Sequence, residues 1–126
     1  MKRRNNRLQM QAVLLCAALT ACGRQGPSPR ADILGSVDQG AIEIDRSACG
    51  SCHIIPGIPG ADGLAGPPLD RFAGRTMVAG LLPNTPDNLA LWIARPQEIV
   101  PGNVMPDSGL SVAQARNIAA YLDSLH

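Results

Sequence analysis

Residues 47–57 read Ser-Ala-Cys-Gly-Ser-Cys-His-Ile-Ile-Pro-Gly, so two thiols and an imidazole (Cys49, Cys52 and His53) fall within five positions. Three chemistries use such a set: a redox-active dithiol, half of a zinc site, or covalent attachment of haem. Zinc ordinarily takes four ligands. The chain offers no second Cys pair of this kind, and its only other histidine is the terminal His126. A thioredoxin-like dithiol needs a strand before it and an α/β domain around it, and no alternating strand pattern is present. C-x-x-C-H is the haem c attachment signature. Its spacing lets the two thiols add to the two vinyl groups while the next residue sets its imidazole on the iron. The expected cofactor is therefore one covalent haem c, through Cys49 and Cys52 with His53 as an iron ligand. Zinc and the dithiol remain the alternatives.

The N-terminus bears on compartment. Met-Lys-Arg-Arg-Asn-Asn-Arg is a cationic start, and a short, mostly apolar run over 8–19 follows it. That is the layout of a secretory leader, too short to span a bilayer comfortably. The run ends in Leu19-Thr20-Ala21-Cys22, which resembles a bacterial lipobox, in which the cysteine is lipidated and becomes the new N-terminus. Residues 1–21 are thus expected to be a lipoprotein signal peptide and 22–36 a flexible tether from lipidated Cys22. Residues 37–126 would form the domain. The alternatives are an ordinary signal peptide with a chance cysteine, or an uncleaved anchor. Two acyl chains on glycerol plus an N-acyl chain would anchor stably, on the periplasmic side of a bacterial membrane. Without the lipid the protein would be periplasmic or secreted.

The leader takes Lys2, Arg3, Arg4 and Arg7 with it, while all ten acidic residues stay. What remains has seven arginines, no lysine and a formal charge of −3. No basic patch for nucleic acid is available. With Cys16 in the leader and Cys22 lipidated, only Cys49 and Cys52 are left, which rules out a disulfide framework. A domain this small, with Phe72, Trp92 and Tyr121 as its only aromatics, has little to build a core from. A large apolar cofactor would make up the deficit.

Three helices must position the chemistry. The first is expected over about 37–49, with Ser36 and Gln39 spaced as a capping box and Cys49 at its end. The second is expected over about 86–95, between an N-capping Thr85 with Pro86 at the first helical position and Pro96, which stops it. Leu89, Trp92 and Ile93 fall on one face. The third is expected over about 112–125, capped by Ser111 and Gln114. Its stripe of Val112, Ala115, Ile118, Ala119, Leu122 and Leu125 is read as buried. Gly/Pro-rich loops over 56–68 and 96–110 complete an all-α class. Loops this long usually need something to organise them.

In this order the residues resemble a class I monohaem cytochrome c, a likeness that covers about 38–125. Gly40 stands nine before Cys49, where first and last helices of that fold meet closely, and Ile44 falls where an aromatic commonly sits. Gly66-Pro67-Pro68-Leu69 matches GP-x-L, whose proline carbonyl accepts the proximal histidine's NδH. Arg75 matches an arginine near a haem propionate; a plain surface charge is its other reading. Pro101-Gly102-Asn103-Val104-Met105-Pro106 matches the loop of the distal methionine, and Tyr121-Leu122 the aromatic-bearing last helix. The resemblance implies His53 and Met105 as the two iron ligands, with a potential raised by the thioether. Trp92 is either core or a donor to a propionate. Met77 is read as core packing and His126 as solvated. Residues 81–111 look closer still to the cytochrome domain fused to subunit II of some haem–copper oxidases, without that fusion's transmembrane hairpin and copper domain.

Two protein ligands leave no open iron position for substrate, and no acid–base or nucleophile constellation is evident. The expected function is therefore not an enzyme but a lipid-tethered, one-electron carrier in a respiratory chain. It would link a quinol-oxidising complex or dehydrogenase to a terminal oxidase. A fixed haem subunit of a membrane oxidase or dehydrogenase is the alternative, followed by a ligand-binding or peroxidatic haem protein.

Overall fold

Ser36 starts the first helix. The computed structural model describes residues 35–126, and the leader, Cys22 and the tether up to residue 34 lie outside the described residues. Helix α1 spans Val37–Arg46, and the Ser36 side chain accepts a hydrogen bond from the Gln39 backbone N–H at 3.3 Å. The reciprocal arm of the expected capping box is replaced. Ser36 N–H donates instead to Asn117 Oδ1 at 2.9 Å, which ties the start of the domain to its last helix.

The helix also stops earlier than its pattern suggests, and Cys49 is not on it. Ala48 takes a left-handed conformation, with φ 53°. The Ser47 and Ala48 N–H groups close on the carbonyls of Glu43 (2.9 Å) and Asp45 (3.1 Å). A left-handed residue just past a helix end is a common terminator, usually supplied by glycine. Here an alanine accepts the strain, and the chain re-enters a tight 3₁₀ turn at Cys49–Ser51.

Helix α2 spans Pro86–Ala94, capped by the Thr85 hydroxyl accepting from Asn88 N–H at 3.2 Å. Pro96 ends it, but that proline also opens a one-turn helix α3, Pro96–Ile99, inside the expected loop. Proline suits a first helical position because its missing N–H would have had no partner there. Helix α4 spans Val112–Asp123 and has the full capping box, Gln114 N–H to Ser111 Oγ at 3.3 Å and Ser111 N–H to Gln114 Oε1 at 3.1 Å. Its buried face is Ala115, Ile118, Ala119 and Leu122. Val112 does not belong to it: as the first helical residue it lies at the margin of the packed face and is 45% exposed.

The class is all-α with long connections. Two strands, β1 (Met77–Val78) and β2 (Leu82–Pro83), pair antiparallel with Val78 opposite Leu82. Strands of two residues cannot show alternation, so the sequence pattern contains no trace of them. The 56–68 loop folds back onto the Cys49–His53 turn. Gly63 N–H reaches Gly50 O (3.0 Å), Gly66 N–H reaches Cys52 O (2.7 Å) and Leu69 N–H reaches Ile54 O (2.8 Å). Tyr121 on α4 donates its hydroxyl to Pro56 O at 2.7 Å, pinning the far side of the loop.

Helix α4 packs against both α1 and α2. The α1–α4 crossing depends on Gly40, where a Cβ would run into the Asn117 carbonyl and the Tyr121 Cβ. Gly40→Ala is therefore expected to destabilise the protein by about 2–3 kcal/mol through overpacking. Gly74→Ala, whose Cβ would meet nothing within 4 Å, serves as the neutral control. Urea unfolding midpoints of the two variants check the difference.

Candidate cofactor site

Among the described residues, thirteen hydrophobic residues form the buried core. Eight of them line a single cavity of about 650 Å³: Ile44 of α1, Leu89 and Ile93 of α2, Ile118 and Leu122 of α4, and Ile55, Phe72 and Val78 of the connecting segments. The remaining five are Ala61, Ala90, Ala94, Ala115 and Ala119. Among the described residues, proline aside, every buried apolar side chain larger than alanine lines the cavity. Among the described residues no polar or charged side chain is buried. The volume is that of a site for a small-molecule cofactor.

Cys49, Cys52 and His53 reach this cavity from the turn that follows α1. Cys49 O accepts both Cys52 N–H (3.2 Å) and His53 N–H (3.1 Å), which brings the three side chains into one compact loop. Both cysteines are half-buried free thiols. Burial pushes the Cys49 thiol above its ordinary value; a backbone hydrogen bond pulls it back in part, and neighbouring Cys52 adds a smaller upward push. Desolvation disfavours the thiolate.

His53 Nδ1 lies 2.8 Å from Pro67 O. A carbonyl can only accept, so Nδ1 carries the proton and Nε2 keeps its lone pair, the arrangement a ligating imidazole needs. Gly66 makes room for the ring, because a Cβ there would overlap its atoms. Pro67 itself lines the cavity. Arg75 does as well, and it is no free surface charge. Its Nη2 donates to Pro68 O and, at 3.4 Å, to Asp70 O, while its guanidinium stacks 4.7 Å over the Phe72 ring. Arg75 thereby braces the loop that carries Pro67. Asn84 holds this region in turn, donating to Phe72 O (3.2 Å) and Arg75 O (3.0 Å).

Trp92 is half-buried, packs against the core and lines the same cavity. Met105 lines it too, half-buried in the loop after α3. Its N–H donates to Asn103 Oδ1 and its carbonyl accepts from Gln97 Nε2, both at 2.7 Å. Met77 requires a correction. Read as core packing, it is 43% exposed and lines the cavity, because β1 turns Val78 inward and its neighbour toward the mouth. His126 is exposed. Gln97, Asn103 and Asn84 were missed by sequence reasoning. The only signal was an amide side chain within or beside a Gly/Pro-rich loop, where backbone groups need partners.

Two thiols, an imidazole with a free Nε2, a thioether and an aliphatic lining fit a haem, which is large, flat and apolar with an iron that takes nitrogen and sulfur ligands. Zinc is poorly served. Among the described residues no group of three His, Cys, Asp or Glu side chains could hold a metal ion.

Residues 40–126 match the family described as Cytochrome c. The chain is 37% identical over 89 residues to Cytochrome c oxidase subunit 2 of Alkalihalophilus pseudofirmus, an alignment covering 70% of this chain and 25% of that protein. It thus spans about a quarter of that relative's length. No solved structure matches it.

Because Gly66 leaves the space that the His53 ring occupies, Gly66→Ala should push the imidazole off the Pro67 carbonyl. The expected outcome is loss of the exchange-protected Nδ1–H resonance of His53 in NMR spectra. A stability loss of about 1–3 kcal/mol should accompany it.

Proposed function

The chain belongs to the cytochrome c family, and on that premise we propose that it is a lipid-tethered one-electron carrier of a respiratory chain, working on the outer face of a bacterial membrane. At the coarser level it is a haem-based electron-transfer protein. What supports the carrier reading is the convergence of Cys49, Cys52, His53 and Met105 on one apolar cavity, and what supports the tether is the lipobox-like Leu19-Thr20-Ala21-Cys22.

In this reading Cys49 and Cys52 would hold haem c through thioethers, and His53 and Met105 would supply the imidazole nitrogen and thioether sulfur to its iron. When bound, haem c supplies a one-electron ferric/ferrous couple, whose potential a His/Met pair raises. The chain's own residues do the rest. Pro67 O fixes the imidazole tautomer and orientation; Arg75 braces the Pro67–Pro68 segment; Trp92 and the aliphatic wall keep water out. His53 and Met105 together leave no coordination position for a substrate, which favours a carrier over an enzyme. At the mouth, Met77 (43% exposed) and Val104 (88% exposed) offer apolar contact. That suits a partner docking without lysine-based charge pairing: a quinol-oxidising complex or dehydrogenase on one side and a terminal oxidase on the other.

The likeness to an oxidase subunit favours a second reading, a fixed haem c subunit of a membrane oxidase or dehydrogenase. Co-purification at constant stoichiometry after detergent extraction would select it; recovery of the free protein selects the carrier.

Absorption spectra test the central claim. The pyridine haemochrome should be that of a haem with two thioethers, and the oxidised protein should show the weak long-wavelength methionine–iron band. Met105→Ala should abolish that band, lower the midpoint potential and let the reduced protein bind CO at neutral pH. An unchanged spectrum in Met105→Ala, or ready CO binding by the wild type, overturns six-coordinate ligation and favours a ligand-binding haem protein.

The tether has its own test. Cys22→Ser should abolish incorporation of radiolabelled fatty acid. It should also move the protein from the membrane to the soluble periplasmic fraction, since one cysteine carries the whole anchor.

A further inference from the structure

The loop that presents Met105 has no ladder or helix to satisfy its backbone, since residues 100–111 contain no regular element. Apart from one main-chain bond, Asn103 N–H to Val100 O (3.2 Å), its backbone is held by two side-chain amides. Gln97, on α3, donates through Nε2 to Met105 O (2.7 Å) and Asn103 O (3.0 Å), and accepts at Oε1 from Gly102 N–H (3.0 Å). Asn103 accepts from Met105 N–H at 2.7 Å and donates to Pro96 O (2.9 Å) and Val100 O (2.7 Å). Both backbone hydrogen-bonding groups of Met105 are therefore held by side chains, one from each amide.

We infer that Gln97 is a positioning residue for Met105: its amide clamps the 102–105 backbone so that the thioether is presented to the cavity. The inference rests on the proposed reading in which Met105 would ligate the haem iron.

Three features of the geometry carry it. Gln97 and Asn103 are both half-buried, so their bonds are partly shielded from water. Val104, between the clamped residues, is 88% exposed while Met105 is half-buried, so the loop turns one side chain out and the next one in. The clamp also uses donor and acceptor at once, which only a carboxamide of this length supplies. Glutamate would keep the shape and the acceptor, but it would set a carboxylate against the carbonyls of Asn103 and Met105. The sulfur itself makes no bond to Gln97, so the residue acts on ligation only through the backbone. Loss of the clamp frees the loop, and the thioether then competes less well against an added ligand for the iron.

The test is Gln97→Glu in the full-length, haem-loaded protein, with imidazole as the competing ligand, titrated by absorbance against the oxidised form. Imidazole affinity should rise at least about tenfold, which is about 1.4 kcal/mol and the order of one or two net hydrogen bonds. The methionine–iron band should weaken and the midpoint potential should fall. Tyr121→Phe, which removes the Pro56 contact far along the chain from the loop, is the control for general loss of stability. It should leave imidazole affinity and potential at wild-type values. Wild-type affinity and band in Gln97→Glu overturn the inference while leaving Met105 ligation intact. A wild type without the band overturns Met105 ligation, and the inference with it. Should Gln97→Glu fail to accumulate, amide hydrogen exchange in the wild type decides. A Gly102 N–H, the one that donates to Gln97 Oε1, as protected as those of α4 supports the clamp, and its exchange at open-loop rates overturns it.

Discussion

Large side chains from three helices turn toward a common cavity, and what the helices have left with which to touch one another is small. Gly40 lets α1 lie on the backbone of α4. Alanines at four-residue spacing, Ala90 and Ala94 on α2, Ala115 and Ala119 on α4, are the other buried positions of these helices. Small residues permit close axial approach but bury little area each, so helix–helix contact alone is weak cement for a domain of this size. The isoleucines, leucines and phenylalanine that would normally supply that cement are committed to the cavity wall. Core and site are thus one object, and a group filling the cavity would contribute its apolar area to folding as much as to function. The proposed attachment through Cys49 and Cys52 would make that contribution intramolecular, without the translational and rotational cost of binding a free cofactor.

The two sides of the cavity are held in different ways. His53 follows Cys52 directly, and main-chain hydrogen bonds surround it, from Gly66 to Cys52 and from Leu69 to Ile54, with Pro67 O on its ring. Moving it means unravelling the turn. Met105 sits fifty-two residues later on a loop whose bonds run through the Gln97 and Asn103 amides. Side-chain clamps of this kind rely on rotamers that can change without breaking secondary structure. The imidazole side is therefore the fixed wall and the thioether side the adjustable one. Sequence change that tunes the proposed ligation would have more freedom on the second.

Much of this could be read from the chain before its fold was known. Ser36, Thr85, Ser111 and Pro86 mark helix starts by local chemistry that needs no tertiary context, and all four act at those starts. The Cys49–His53 spacing and the Gly66–Leu69 motif point to one site because their chemistry demands short-range geometry. What escaped depends on distant partners or on strain. Ala48 has no residue type that announces a left-handed turn, so α1 was extended through to Cys49. Pro96 reads as a terminator, and its second role in starting α3 shows only once the chain bends there. Met77 and Val112 are apolar by type and exposed by position, a difference that periodicity over two residues or at a helix end cannot resolve. Gln97 and Asn103 act on carbonyls up to eight residues away, through a loop whose path no local rule fixes.

Charge completes the connection between the surface and the proposed tether. The described residues contain no lysine and five arginines. Arg71, Arg95 and Arg116 each lie beside a carboxylate, at 3.4, 3.4 and 3.2 Å, and Arg75 spends its guanidinium on the Pro68 and Asp70 carbonyls. The three ion pairs are largely exposed and worth little to stability, yet with Arg75 they commit four of these five arginines, leaving Arg46 exposed in the last turn of α1. A freely diffusing carrier of this composition would lack the field that accelerates encounter with an acidic partner. Confinement to a membrane surface would remove that need, because the proposed tether would supply effective concentration that charge would otherwise have to supply by steering. The proposed anchor at Cys22, the shortage of free cations and the apolar mouth at Met77 and Val104 would then form one strategy, in which proximity finds the partner and apolar contact at the mouth of the cavity holds it.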